Sequence, residues 1–384
     1  MTDSSADVDL AGFERVLAGR LDADVTDAVV VADGLNLVVD VSMPDGRYVV
    51  RQPNKLRGTY YMNDLRAEYE ILEALADTPV PAPRPVLFEA DQSALGGPFL
   101  VCTYLEGETV PLGSDLPERF RTERARAAVG ERLVDTLTEI HVRDPGNFEA
   151  CCDRRTPRET VGLARARIEG AAAETGFDPW GLEEVADWLA AEAPPDPELG
   201  LVHGDFRPGN VLFVGRKTPE VAGVLDWETA QLGDPLVDLG YLLLRWGDGD
   251  DPTPPLDEIE ARHPDAGAAL DEMAERNEGG LAPFTTRPGS PDRAALADRY
   301  ERLTGRTYDN RRFYRAFAAF LLATVWSDLH REAVAAGDDS GFAPWVDYTL
   351  APEVEVEVAG LDGRPEEGVD RPADEFVGVV RAVG

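Results

Sequence analysis

The chain has 384 residues, 43% of them apolar, which is enough for two lobes with buried cores. Its 73 acidic residues against 37 basic ones give a formal charge of -36, which speaks against a surface built to hold nucleic-acid phosphates. No apolar run approaches the roughly 18 residues that a membrane-spanning helix needs. The opening MTDSSADVDL is acidic where a secretory leader would be basic and then apolar, so a soluble, cytoplasmic protein is expected. Cys102, Cys151 and Cys152 do not make a disulfide framework, and the adjacent pair lacks metal-ligand spacing.

In chain order, residues 1–24 carry Leu10, Phe13, Val16, Leu17 and Leu21 near helical spacing and predict a leading helix. Val29–Val31 and Leu37–Val41, joined by the Asp33-Gly-Leu-Asn36 turn, read as strand, turn, strand. The Met43-Pro-Asp-Gly46 turn then leads to a third strand at Tyr48–Arg51. Asn63–Ala76 predicts a helix that buries Leu65, Tyr69, Leu72 and Leu75. Prolines at alternate positions make Pro79–Pro85 an extended connector. Val86–Ala90 and Pro98–Tyr104 follow as two further strands, for a sheet of about five. Beyond Glu108 the pattern turns helical, with a long amphipathic helix within Leu116–Val142 and others near 158–174 and 179–192. His141, near the end of the first, reads as a packed structural histidine. The breaker Ala193–Pro197 closes this run.

The densest chemistry follows. His203-Gly-Asp205-Phe-Arg207-Pro-Gly-Asn210 precedes Asp226-Trp-Glu228, and the apolar runs Leu199–Val202, Val211–Val214 and Val221–Leu225 flank both pieces. The polar residues therefore fall at strand ends or in loops, where sites are built. Phosphoryl transfer from a nucleotide needs these residue types: a carboxylate for the attacking hydroxyl's proton, hard oxygens for Mg2+, and a cation for the developing charge. Asp205 is the expected base, Asn210 and Asp226 the magnesium ligands and Arg207 the cation. His203 is an orienting member of the catalytic loop, because the proton acceptor is the carboxylate two residues on. Asp234 and Asp238 open the next helix and read as supports for the loops. Residues 247–293, rich in Gly, Pro and Asp, are expected to include mobile loops near the acceptor site. Helices near 291–304 and 309–336 follow, with Phe313, Phe317 and Phe320 as core, and the tail from about 351 carries no chemistry.

His203-Gly-Asp205, Asn210 and then Leu225-Asp226-Trp227 resemble the aminoglycoside phosphotransferase and choline kinase-like family. With Leu232-Gly-Asp-Pro-Leu236 and Asp238-Leu-Gly-Tyr-Leu-Leu-Leu244, the resemblance is nearest to the branch associated with acyl-CoA dehydrogenases, and it covers roughly residues 10–345. It implies an α+β, protein-kinase-like two-lobed fold: an antiparallel-sheet N-lobe over 1–104, a mainly helical C-lobe over 105–350, and an acidic tail over 351–384. It also implies ATP or another nucleoside triphosphate with Mg2+, and a small-molecule hydroxyl acceptor, a hydroxyacyl-CoA or another small hydroxylated compound. Gly34 and Asn36 would lie at the hairpin tip over the phosphates, and Thr103 and Leu105 at the hinge against the base. Arg51 stands where the family usually has lysine, with Lys55 as a rival four residues on, and Glu68 would pair with that cation. A non-catalytic nucleotide-binding module and an atypical protein kinase are the alternatives; the latter lacks H-R-D, DFG and APE-type motifs. The residues carry no signal for an oligomeric state.

So acidic a surface repels itself in dilute buffer, whereas at molar salt the Debye length falls to ~3 Å. A haloarchaeal or otherwise salt-adapted source is therefore expected. The melting temperature should rise between low salt and about 2 M KCl, and a flat or falling trend in a thermal melt would count against salt adaptation.

Overall fold

A computed structural model describes residues 10–56, 58–91, 95–247, 254–337 and 341–351. Helix α1 spans Leu10–Leu21, and the first three strands are β1 (Asp27–Asp33), β2 (Asn36–Met43) and β3 (Gly46–Pro53). Helix α2 (Leu65–Leu75) leads to β4 (Pro85–Glu89) and β5 (Phe99–Thr103). The five strands form an antiparallel sheet in the order β1-β2-β3-β5-β4.

Strand alternation explains how this sheet separates two cores. Along β2 every second residue is buried, so Leu37, Val39, Val41 and Met43 share one face with Phe13 and Leu17 of α1. On β5, Phe99 and Val101 join that face, while Leu100 and Cys102 point the other way into a larger core shared with α2 and the helices beyond. The Asp64 carboxylate caps α2 by accepting from the Ala67 amide at 2.8 Å.

The helical part comprises α3 (Glu123–His141), α4 (Pro157–Thr175), α5 (Leu182–Glu192), α6 (Leu236–Arg245), α7 (Leu256–Arg262), α8 (Gly267–Gly279), α9 (Arg293–Thr304), α10 (Arg311–Ala335) and α11 (Phe342–Leu350). Two small antiparallel pairs interrupt it: β6 (Gly200–Val202) with β9 (Gln231–Gly233), and β7 (Val211–Val214) with β8 (Glu220–Val224). The long α10 is the central strut, packed against α4, α6 and α11. Among the described residues no helix is long and apolar enough to cross a membrane.

Several elements differ from the sequence expectation. The leading helix is confined to α1, residues 1–9 lying outside the described ones. On α2, Ile71 is fully buried, whereas Tyr69 is partly exposed. The stretch expected to include loops also holds α7 and α8, which were not anticipated, their short apolar sets Leu256/Ile259 and Leu270/Met273 being masked by the surrounding Gly, Pro and Asp. The three-residue β9 and the aromatic α11 were not anticipated. The strand-like segment of the acidic tail lies outside the described residues.

Gly240 lets α6 lie directly on α10. A Cβ there would lie 2.6 Å from the Tyr314 Cβ and 2.8 Å from its carbonyl oxygen, closer than real atoms pack. Gly240→Ala should therefore destabilise the protein by about 1–3 kcal/mol, seen as a lower denaturant midpoint with the slope unchanged.

Candidate active site

Between β6 and β7 the chain turns through His203–Asn210, and its path is dictated by close packing. Gly204 has φ +85°, and a Cβ there would meet the Thr229 carbonyl oxygen at 2.6 Å. The Thr229 hydroxyl donates to the His203 carbonyl at 2.8 Å, tying the loop to the segment after Asp226. The His203 ring is buried and bridges the same two pieces. Its Nδ1 accepts from the Asp205 amide at 3.2 Å and its Nε2 donates to the Leu225 carbonyl at 2.9 Å. Both ring nitrogens thus face backbone groups, so His203 orients the loop and has no free nitrogen for proton transfer.

Asp238, in the first turn of α6, accepts from the amides of His203 at 2.6 Å and Gly204 at 2.8 Å. His141 Nε2 lies 3.1 Å from the same carboxylate, and its Nδ1 lies 2.6 Å from the Tyr300 hydroxyl. Burial drives the His141 pKa below the ordinary histidine value, outweighing the pull of Asp238, so the ring is a neutral packed support. Asp234 accepts from the Leu236 amide at 3.0 Å and from the Tyr314 hydroxyl at 2.7 Å.

Asp205 is surrounded by donors. Asn210 Nδ2 donates to its Oδ2 at 2.7 Å, Arg207 Nε lies 3.2 Å from both oxygens, and the Tyr241 hydroxyl donates to Oδ1 at 2.5 Å. Burial pushes this carboxyl up, but Arg207, Arg245 and the Tyr241 bond outweigh it and hold the pKa below the ordinary carboxylate value. Asp226 follows β8 in a left-handed conformation, φ +69°, which a non-glycine residue adopts at a cost of order 1–3 kcal/mol.

On the sheet side, Arg51 is buried among acids. It pairs with Glu68 of α2 and with Glu228, and its Nη2 lies 3.4 Å from Asp226 Oδ1. Burial opposes its charge, yet the three carboxylates raise its pKa above the usual guanidinium value. Lys55 lies past the end of β3 and is exposed, its amide donating to the Leu35 carbonyl at 3.1 Å. Asn36 Nδ2 donates to Glu228 Oε2 at 3.1 Å, joining the hairpin to the same cluster.

Two cavities meet here. One, of about 470 Å3, is lined by Gly34, Asn36, Arg51, Glu68, Thr103 and Leu105, with Asn210 and Asp226 across from them. The other, of about 300 Å3, is bordered by Asp205, Arg207, Tyr241 and Arg245 on one side and by Tyr60, Met62, Phe317, Leu321, Leu322 and Trp326 on the other. Leu35 and Asp226 line both. Thr103 offers the larger cavity no backbone donor, since its amide is bound to the Arg84 carbonyl at 2.9 Å.

The residues fit a magnesium ion. With Asn210 Nδ2 taken by Asp205, its Oδ1 is the end available to a cation, beside the carboxylate of Asp226. Among the described residues no cluster of three or more His, Cys, Asp or Glu could hold a metal unaided. Magnesium suits such a sparse set, because it keeps waters and takes further ligands from phosphates.

Sequence reasoning left Glu228, Tyr241 and Arg245 without a role. The signal for the last two was present: Asp238, Tyr241 and Arg245 are polar at i, i+3 and i+7 in the otherwise apolar LVDLGYLLLR, so they share one helix face.

A family model described as the phosphotransferase enzyme family matches residues 28–276. Acyl-CoA dehydrogenase family member 11 of Gallus gallus is 34% identical over 178 residues, 45% of this chain and 22% of the relative. Acyl-CoA dehydrogenase family member 10 of Mus musculus is 32% identical over 185 residues, 47% of this chain and 17% of the relative. The chain thus spans only about a fifth of the length of these curated relatives. Among solved structures, a Ralstonia eutropha protein provisionally described as an aminoglycoside phosphotransferase superposes with a TM-score of 0.65 at 22% identity, over 92% of this chain and 98% of that one. A macrolide 2'-phosphotransferase of Brachybacterium faecium gives 0.54 at 18% identity, over 88% and 97%. These structures share the two-lobed kinase-like fold expected from the sequence. With the family model covering well over half of its length, the chain belongs to the phosphotransferase enzyme family.

Proposed function

We propose that the protein is a Mg2+- and ATP-dependent O-phosphotransferase that phosphorylates a hydroxyl on a small molecule with an apolar chain, of hydroxyacyl-CoA type. The observation that carries this reading is the position of Asp205, a donor-bound carboxylate bordering an apolar cavity that joins a second cavity at Asp226. Structural neighbours crystallised with ADP or AMP-PNP and hygromycin B support an adenine nucleotide in the larger cavity. The names of the acyl-CoA dehydrogenase relatives support an acyl acceptor. So do the walls of the smaller cavity, where Phe317, Leu321, Leu322 and Trp326 suit an alkyl chain better than a polycationic sugar.

In this reading the acceptor hydroxyl lies against Asp205, which receives its proton as the oxygen bonds to the γ-phosphorus and the bond to the departing diphosphate oxygen breaks. Arg207 offsets charge beside the base. Arg51, anchored by Glu68 and Glu228, meets the phosphates, and the turn carrying Gly34 covers them. Magnesium, held by Asn210 Oδ1 and the Asp226 carboxylate, would neutralise phosphate charge when bound. The hinge contributes backbone at Leu105 and an apolar wall at Thr103.

Asp205→Ala should lower kcat for acceptor-dependent ADP release by about 10²- to 10⁴-fold, assayed in concentrated KCl across hydroxyacyl-CoAs, sugars, amino alcohols and aminoglycosides. Turnover that survives this change intact would remove Asp205 from the reaction and leave a nucleotide-binding module. Leu321→Arg, which places a charge on the apolar wall, should raise the acceptor KM by about tenfold or more while leaving the nucleotide KM unchanged. Equal effects on both constants would refute the assignment of the smaller cavity to the acceptor.

A further inference from the structure

A carboxylate that takes a proton from a bound hydroxyl must present its oxygens in a fixed plane, and on Asp205 that plane is not set by its own loop alone. Arg207 Nε is equidistant, 3.2 Å from each oxygen, so it cannot define how the group is rotated. Asn210 holds Oδ2 at 2.7 Å. A single hydrogen bond to one oxygen fixes that rotation only loosely. The second grip comes from α6, where the Tyr241 hydroxyl donates to Oδ1 at 2.5 Å.

Resting on the phosphotransfer reading above, we propose that Tyr241 is a positioning residue for the reaction: its hydroxyl, steered by Arg245, locks the Asp205 carboxylate in the orientation that meets the acceptor hydroxyl. Arg245 Nη2 donates to the Tyr241 oxygen at 2.5 Å, which directs the phenolic hydrogen toward Asp205. Burial pushes the phenol up to about 12, so it carries that hydrogen throughout the neutral range. Arg245 is itself only 4% exposed, and its Nε and Nη1 have no hydrogen-bond partner among the described residues. A guanidinium kept in so unfavourable a setting needs a reason, and its bond to Tyr241 beside the reacting group supplies one. Gly240, by admitting α6 against Tyr314 of α10, sets the depth at which both side chains reach the loop. During transfer the proton that moves is the acceptor's, passing to Asp205 as the new O–P bond forms and the bond to the leaving diphosphate breaks. Tyr241 keeps its own proton.

The test is Tyr241→Phe, which removes one oxygen and keeps the ring. The kcat should fall about 10- to 100-fold, the cost of misorienting a reacting group. Both KM values should stay within about twofold, because neither substrate loses a contact. Arg245→Met should lower kcat in the same sense, and combined with Tyr241→Phe the loss should be smaller than the product of the two single losses, since Arg245 acts partly through the phenol and partly through its own charge on Asp205. An unaltered kcat in Tyr241→Phe overturns the proposal, as does a loss that appears in the acceptor KM, which would make Tyr241 a substrate contact. Should Tyr241→Phe fail to fold, Arg245→Met alone decides, an unchanged kcat overturning the proposal. A wild-type protein with no acceptor-dependent turnover overturns the phosphotransfer reading itself, and the proposal with it.

Discussion

The buried carboxylate of Asp238 fixes the geometry of the loop His203–Asn210. At 1% exposure it would be strongly disfavoured without partners, and it finds them in two consecutive loop amides and the ring of His141. Because the amides belong to His203 and Gly204, the carboxylate holds the backbone immediately before Asp205. His203 then ties that backbone to Leu225, next to Asp226. One helix start thus sets the spacing between the proposed base and the proposed metal ligand, and tight packing of α6 on α10 makes the spacing rigid.

A second cluster joins the sheet to this platform. Arg51 comes from β3, Glu68 from α2, and Asp226 and Glu228 from the segment after β8. Three carboxylates against one guanidinium leave a surplus of negative charge where the two cavities meet. A bare triphosphate would be repelled there, whereas a triphosphate bringing a divalent cation would not. The substitution of Arg51 for the lysine usual in the family is consistent with this crowding, since a guanidinium presents enough donors to meet several carboxylates at once.

Much of this was legible because it depends on local chain chemistry. Apolar runs between turns marked β2 and β3, the His-Gly-Asp loop lay between apolar strands, and Gly34, Asn36, Arg51, Glu68, Thr103 and Leu105, expected at one site, line one cavity. What escaped depends on tertiary packing. Three-residue strands such as β9 have no periodicity to detect, and α7 and α8 are too short for their apolar faces to stand out against Gly, Pro and Asp. Tyr241 and Arg245 lay within a motif whose aliphatic residues drew the eye to burial. Their function depends on Asp205 approaching from another element, which no local pattern encodes. Phe317 was read as core and is buried, yet it also walls the smaller cavity, a double duty that periodicity cannot reveal.

The two halves of the site also differ in how tightly they are constrained. Among the described residues, the side chains that hydrogen-bond Asp205 come from its own loop or from α6, so a change there disturbs several hydrogen bonds together. The apolar wall is assembled instead from Tyr60 to Met62, ahead of α2, and from one face of α10. Their junction is the buried Asp328, which accepts from Tyr61 at 2.7 Å, Arg167 at 2.8 Å and Arg331 at 2.9 Å. That junction fixes where the wall stands without specifying the side chains that form it. Among the described residues Leu321, Leu322 and Trp326 make no side-chain hydrogen bond to Asp205, Arg207 or Asn210, so they can be exchanged for other shapes while Asp205 stays gripped. On the reading proposed above, a fold divided in this way holds phosphoryl-transfer chemistry constant while the acceptor varies, the reaction class being written in the loop motifs and the acceptor in the shape of the wall.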